Sequence, residues 1–172
     1  AANLKEIGGN AFKSSGVENV TFPQNSQLTE IGNEVFAHCS NLKNIKIPET
    51  VTKIGNFAFE QTKLTSIIIP ASVTDIGILA FGECKNLKTV TFADDSQLKN
   101  IGTKAFAGTP ITSIEIPASV TNIGRTAFNQ CRKLESVTFA PDSKLEAIVG
   151  DAFSGCSALK TMSCDGNVKQ KL

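Results

Sequence analysis

A chain of 172 residues, 41% hydrophobic and 19% charged, is long enough for one sizeable core and has the composition of a globular protein rather than a disordered or membrane-spanning one. Its formal net charge of +1 provides no global field for nucleic acid or anionic lipid, and no apolar run approaches the roughly 20 residues of a membrane helix. Eleven Phe occur with no Trp or Tyr, so the aromatic types that commonly anchor exposed interfaces are scarce and the Phe are expected in the core.

The pattern starts at once. Seven units begin at Leu4, Leu28, Val51, Val73, Leu98, Val120 and Leu145, with no secretory signal pattern before the first. Each has an isoleucine three positions on (Ile7, Ile31, Ile54, Ile76, Ile101, Ile123, Ile148), followed in six units by Gly and in the seventh by Val149-Gly150. A small residue and Phe come next: Ala11-Phe12, Val35-Phe36, Ala58-Phe59, Ala80-Phe81, Ala105-Phe106, Ala127-Phe128 and Ala152-Phe153. Every unit closes on an aliphatic-x-x-aliphatic-x-apolar run such as Leu42-x-x-Ile45-x-Ile47, whose alternation predicts a half-buried strand. The opening Leu/Val-x-x-Ile-Gly segment predicts a second, shorter strand. The Ala-Phe pair predicts a short helical or irregular turn, with Ala allowing close approach and Phe filling the interior.

Two variations set the unit lengths of 22 to 25 residues. Units two, four, six and seven carry Cys39, Cys84, Cys131 and Cys156 after the Phe, then two residues before the next aliphatic; units one, three and five carry Ser15, Thr62 and Thr109 with one residue fewer. After the closing strand, Asn25, Thr50, Ser72, Asp95, Ser119 and Asp142 are expected to bond local backbone in turns. From unit three the variations combine into a 47-residue double repeat, residues 51–97 and 98–144. The expected fold is a leucine-rich repeat solenoid over residues 1–172. Its seven coils carry a parallel β-sheet on the concave face, short second strands, and short helical or irregular turns on the convex side. The unmodified start at Leu4 suggests an exposed or cut end, and the tail from Asp165 leaves the pattern, so the domain is expected to be a segment of a longer protein.

The string Ile-x-Ile-Pro-x-x-Val-x-x-Ile-Gly-x-x-Ala-Phe-x-x-Cys-x-x-Leu, present from Ile45 to Leu64 with Thr62 in place of Cys, resembles the BspA-like (Treponema-type) leucine-rich repeat. The resemblance covers nearly the whole chain. It implies a curved solenoid from a microbial cell-surface or secreted protein, with roles in adhesion to host matrix proteins or other cells. The family brings no shared catalytic residues, and its ligands vary, so the fold transfers and the partner does not.

Residues that look chemical have structural explanations. Cys39, Cys84 and Cys131 lie on alternate coils, roughly 10 Å apart, too far to share a metal or a disulfide. Cys131 and Cys156 fall on neighbouring coils, where a bridge is conceivable, but their shared repeat position reads as inward thiols packed like small hydrophobes. Cys164 takes a slot filled elsewhere by Ile47, Ile69 or Phe92 and also reads as core. His38 precedes Cys39 without an evident orienting group, and Asp94, Asp95 and Asp142 supply too few oxygens for calcium. Asn19-Val20-Thr21 is a glycosylation sequon on a strand, and no glycine spacing matches a phosphate loop. No enzyme, metal or cofactor is expected.

The outward columns of the closing strands are Asn19/Thr21, Asn44/Lys46, Ser66/Ile68, Thr89/Thr91, Ser113/Glu115, Ser136/Thr138 and Thr161/Ser163. Lys46 and Glu115 are their only charges and Ile68 their apolar exception. After the conserved Gly, units three and four carry Asn56-Phe57 and Ile78-Leu79 where other units are mostly polar, so Phe57, Ile78 and Leu79 form either an exposed apolar patch or packing beneath a turn. These six side chains are the candidate contacts for a protein partner such as a host extracellular-matrix or cell-surface protein. The function expected is a non-catalytic adhesion module; the alternative, favoured by the Ser/Thr columns, is a spacer solenoid that presents other domains.

Overall fold

In the computed structural model, which describes residues 3–163, the chain winds through seven stacked coils, each with two short strands. The first four coils hold β1 (Glu6–Ile7) and β2 (Asn19–Val20), β3 (Glu30–Ile31) and β4 (Asn44–Ile45), β5 (Lys53–Ile54) and β6 (Ser66–Ile69), and β7 (Asp75–Ile76) and β8 (Thr89–Phe92). The last three hold β9 (Asn100–Ile101) and β10 (Ser113–Ile116), β11 (Asn122–Ile123) and β12 (Ser136–Phe139), and β13 (Ala147–Ile148) and β14 (Thr161–Ser163). Every pairing is parallel and joins equivalent repeat positions, as Ile54 pairs with Ile76 and Ile76 with Ile101.

The closing runs do carry the longer strands, yet the continuous ladder belongs to the opening segments. β1, β3, β5, β7, β9, β11 and β13 form one seven-stranded sheet, whereas the closing strands form three: β2-β4, β6-β8 and β10-β12-β14. The breaks fall where a Cys-bearing coil is followed by a Thr-bearing coil, which has one residue fewer before its closing strand. The opening segment has the same length in every coil, so its register repeats without interruption.

The third side of each coil contains no helix among the described residues. Non-helical geometry follows from a regular pair of left-handed residues: Glu34 and His38, Phe57 and Gln61, Leu79 and Glu83, Lys104 and Gly108, Thr126 and Gln130 all have positive φ. Alternate N–H groups consequently point to the next coil rather than along a helix axis. In coil three, Phe57, Phe59 and Gln61 donate to Ile78, Ala80 and Gly82 carbonyls at 2.7, 2.8 and 3.0 Å, while Ala58, Glu60 and Thr62 close tight turns within their own coil. The turns are thus irregular rather than helical, and their backbone groups are satisfied between coils. A left-handed non-glycine residue costs roughly 1–2 kcal/mol, so bulky examples such as Phe57, Leu79 and Thr126 require the stack to hold them.

The seven repeat phenylalanines form one column with centroids 5.1–5.5 Å apart and rings within 14° of parallel, exposed at Phe12 and half-buried at Phe153. These separations are typical of favourable offset stacking. Phe36, Phe59, Phe81, Phe106 and Phe128 are completely buried, as are the opening Leu or Val side chains from Leu28 to Leu145. The core is therefore a line of repeated layers, each covering its neighbour's apolar edge.

The post-strand turns differ from expectation in which hydroxyls do the local bonding. Thr50 and Ser72 donate to Leu28 and Val51 carbonyls one full turn earlier, both at 2.6 Å, so each ties the end of its coil to that coil's start. Local turn bonds come instead from Ser26, Ser96 and Ser143, whose oxygens accept from Leu28, Leu98 and Leu145 amides at 3.2–3.4 Å. Asp95 and Asp142 supply left-handed positions in the inserted turns.

Candidate functional site

The outward columns lie as the alternation predicts: all fourteen side chains are exposed except half-buried Ser136. What the alternation does not predict is the relief of this surface. Each break in the closing ladder is the floor of a groove. The first, about 650 Å³, spans β2, β4 and β6 and is lined by Asn44, Lys46, Glu49, Ile68 and Pro70, among others. The second, about 560 Å³, spans β8 and β10 and includes Thr89, Thr91, Asp94, Ser113 and Glu115.

Lys46 and Ile68 are therefore brought together, and Glu115 is placed in the other groove. Ile68 is 64% exposed although both chain neighbours, Ile67 and Ile69, are buried, so it presents its side chain to solvent from the middle of β6. The three remaining candidates occupy the left-handed turn. Ile78 is exposed, but Phe57 and Leu79 are half-buried, and the Leu79 side chain lies over the α-carbon of Gly82. Much of that apolar group thus packs under the turn. The signal for the grooves was present in the sequence as the one-residue shortening after Thr62 and Thr109.

Charges around these features pair across coils: Lys13 with Glu34, Lys53 with Glu30 at 3.3 Å, and Lys160 with Glu135 at 3.2 Å. All three pairs are solvent-exposed and worth little individually. Asn33 and Asn56 form a short side-chain ladder, their Oδ1 atoms accepting from Asn56 and Ile78 amides of the next coil at 2.8 and 2.9 Å.

The chemical candidates are placed in the interior or in turns. Cys39, Cys84 and Cys131 are buried, Cys156 is half-buried, and all four are free. Cys39 donates to the Phe12 carbonyl at 2.9 Å and so points away from its neighbour His38, whose Nδ1 lies 3.2 Å from Gln61 Oε1. Burial pushes the Cys84 thiol up from 9.0 to about 11, the opposite of an activated nucleophile. Cys164 lies outside the described residues. Among the described residues no three His, Cys, Asp or Glu side chains converge as metal ligands, and no helix is long and apolar enough to cross a membrane.

Comparison with known proteins agrees with this architecture. A model of the BspA-type leucine-rich repeat region matches in six copies, over residues 5–135 and 52–171. A leucine-rich repeat protein of T. pallidum is similar at 27% identity and a TM-score of 0.74, over 85% of this chain and 69% of that one. The pneumococcal vaccine antigen PcpA is similar at 26% identity and a TM-score of 0.56, over 86% of this chain and 37% of that one. A leucine-rich repeat protein of Bacteroides ovatus aligns with 92% of this chain at 23% identity and a TM-score of 0.46, and this chain spans 58% of its length. No curated protein matches the sequence. Proteins with this repeat are often surface or adhesion proteins, and leucine-rich repeats generally mediate contacts between proteins. Repeat string, parallel solenoid and family match coincide along nearly the whole sequence: the chain belongs to the BspA-type leucine-rich repeat family.

Proposed function

We propose that the chain is a non-catalytic protein-binding module of a microbial cell-surface or secreted protein, acting in adhesion, and that it binds through the groove over β4 and β6. The observation that carries this reading is Ile68, 64% exposed beside Lys46 and Glu49 in a depression where the sheet is open. A solvent-facing isoleucine at the centre of a strand gains nothing for the fold, whereas covering it on binding recovers roughly 1–2 kcal/mol. The flanking lysine and glutamate supply orientation at the rim. The host partner proposed is an extracellular-matrix or cell-surface protein, consistent with the family's frequent occurrence in surface proteins.

Binding of the isolated chain to a panel of immobilised matrix proteins tests the proposal. Saturable binding is expected, weakened about tenfold or more by Ile68→Asp and unaffected by Ile78→Ser. Sensitivity to Ile78 alone moves the contact to the turn of coils three and four. Absence of saturable binding across matrix proteins and purified cell-surface proteins favours the spacer, a reading that the otherwise polar Ser/Thr columns support.

A further inference from the structure

The residues three positions after each repeat Phe form a column through the stack: Ser15, Cys39, Thr62, Cys84, Thr109, Cys131, Cys156. Neighbours in this column touch wherever a hydroxyl precedes a thiol. Ser15 Oγ lies 3.5 Å from Cys39 Sγ, and Thr62 and Thr109 Oγ1 each lie 3.3 Å from the thiol of the following coil, Cys84 and Cys131. Up to coil six, a hydroxyl residue separates each thiol from the next. The alternation lapses once, between coils six and seven, where Cys131 and Cys156 follow one another in the column.

The backbone around them is held in matching register. Phe128 and Gln130 amides donate to Ala152 and Ser154 carbonyls, both at 2.8 Å, and Cys131 and Cys156 donate to the equivalent carbonyls of Phe106 and Phe128 at 3.2 and 3.1 Å. Equivalent positions on paired coils stand roughly 5 Å apart at the backbone, inside the 4.4–6.8 Å range that a disulfide spans. The two thiols also differ in access: Cys131 is fully buried and Cys156 is half-buried.

We propose that Cys131 and Cys156 are a covalent modification site, a dithiol that a small disulfide oxidant such as oxidised glutathione converts into a staple between the sixth and seventh coils. The more accessible Cys156 reacts first. Its thiolate attacks one sulfur of the oxidant, the oxidant's S–S bond breaks, and one glutathione thiolate leaves. Cys131 then attacks Cys156 Sγ, the Cys156–glutathione S–S bond breaks, and the Cys131 proton leaves with the departing glutathione as its thiol. Two protein thiols are oxidised to one disulfide while one glutathione disulfide is reduced to two thiols. The neighbouring Cys131 thiol lowers the pKa of Cys156, which favours this order, while the Cys156 thiol and burial raise the pKa of Cys131.

The test uses the full chain with Cys164→Ser, incubated with excess oxidised glutathione and followed by intact mass, thiol titration and peptide mapping. The expected result is loss of two thiols, no retained glutathione, and a cross-linked peptide pair holding Cys131 and Cys156, with Cys39 and Cys84 still reduced. Amide exchange in residues 145–163 is expected to slow by about tenfold or more in the oxidised form, because the bridge closes a 26-residue loop. Cys131→Thr, which reproduces the Thr–Cys contact of the other coils, is expected to leave a persistent glutathione adduct on Cys156. A persistent adduct in the parent chain, Cys131 and Cys156 both left as thiols, or a bridge to Cys39 or Cys84 would each overturn the proposal.

Discussion

Replacing Gly77 by alanine tests whether the corner glycines set the distance between coils. A Cβ at position 77 would lie 2.6 Å from the Asn56 amide nitrogen and the Gly55 carbonyl carbon, and 2.7 Å from Asn56 Oδ1. Two of these atoms are backbone and cannot rotate away. Restoring ordinary contact requires the corner to open by roughly 0.8 Å. The Gly77 amide now bonds the Ile54 carbonyl at 2.8 Å, and the same opening stretches that bond beyond useful length. Overpacking of this kind costs about 1–3 kcal/mol and a lost hydrogen bond about 1. The reduced freedom of the unfolded chain returns about 0.4–1 kcal/mol, leaving a net loss of about 1–3.6 kcal/mol. Position 8 is the internal control: a Cβ there meets nothing within 4 Å, so Gly8→Ala should be neutral or slightly stabilising. Gly32, where the nearest atom is the Ile7 carbonyl oxygen at 3.0 Å, should fall between. Urea unfolding followed by circular dichroism, with amide exchange at residues 54–80 to localise the damage, measures the series. Equal stabilities for Gly77→Ala and Gly8→Ala, within about 0.5 kcal/mol, would falsify the steric account.

Two further outcomes are expected. Ser72→Ala should cost about 1–1.5 kcal/mol in the same unfolding assay because it removes the 2.6 Å bond to the Val51 carbonyl, whereas Ser119→Ala should cost less than about 0.5, since the buried Ser119 hydroxyl has no protein partner. Comparable losses at both positions would contradict the difference between these equivalent turns. Burial raises the Cys84 pKa from 9.0 to about 11, so the fold favours the protonated thiol; its stabilising contribution is complete below pH 9 and is lost as pH climbs toward 11. Over that window the loss approaches about 3 kcal/mol, and Cys84→Thr should show a correspondingly flatter alkaline profile than the parent chain. Parallel profiles would refute that assignment.

The interior was legible at the level of individual residues. The Ile and Phe series, the inward thiols Cys39, Cys84 and Cys131 and the outward Ser/Thr columns all occupy the sides that periodicity assigns, because each coil repeats one burial pattern and any departure would leave an apolar layer uncovered. The turns were less legible. Phe57 and Leu79 have no propensity for positive φ, and nothing in their chemistry announces it; they adopt it because their amides must reach the Ile78 and Thr103 carbonyls of the next coil. Thr50 and Ser72 likewise have two available partners, their own turn or the backbone one full turn earlier, and the choice depends on how closely successive turns of the solenoid approach.

The candidate site divides in the same way. Sequence alternation determined that Lys46, Ile68 and Glu115 face outward, since side-chain direction along a strand is a local property. Only the tertiary structure decided that Lys46 and Ile68 share one groove while Glu115 lines another, and that Leu79 folds over Gly82 instead of extending a patch with Ile78. Those outcomes depend on where the closing ladder breaks. By itself the sequence determined a seven-coil stack, its buried layers and its family, because repetition writes the same local instruction seven times. The breaks, the absence of helix among the described residues and the depth of the surface arise between coils, from one-residue differences in path length and from hydrogen bonds that no single repeat contains.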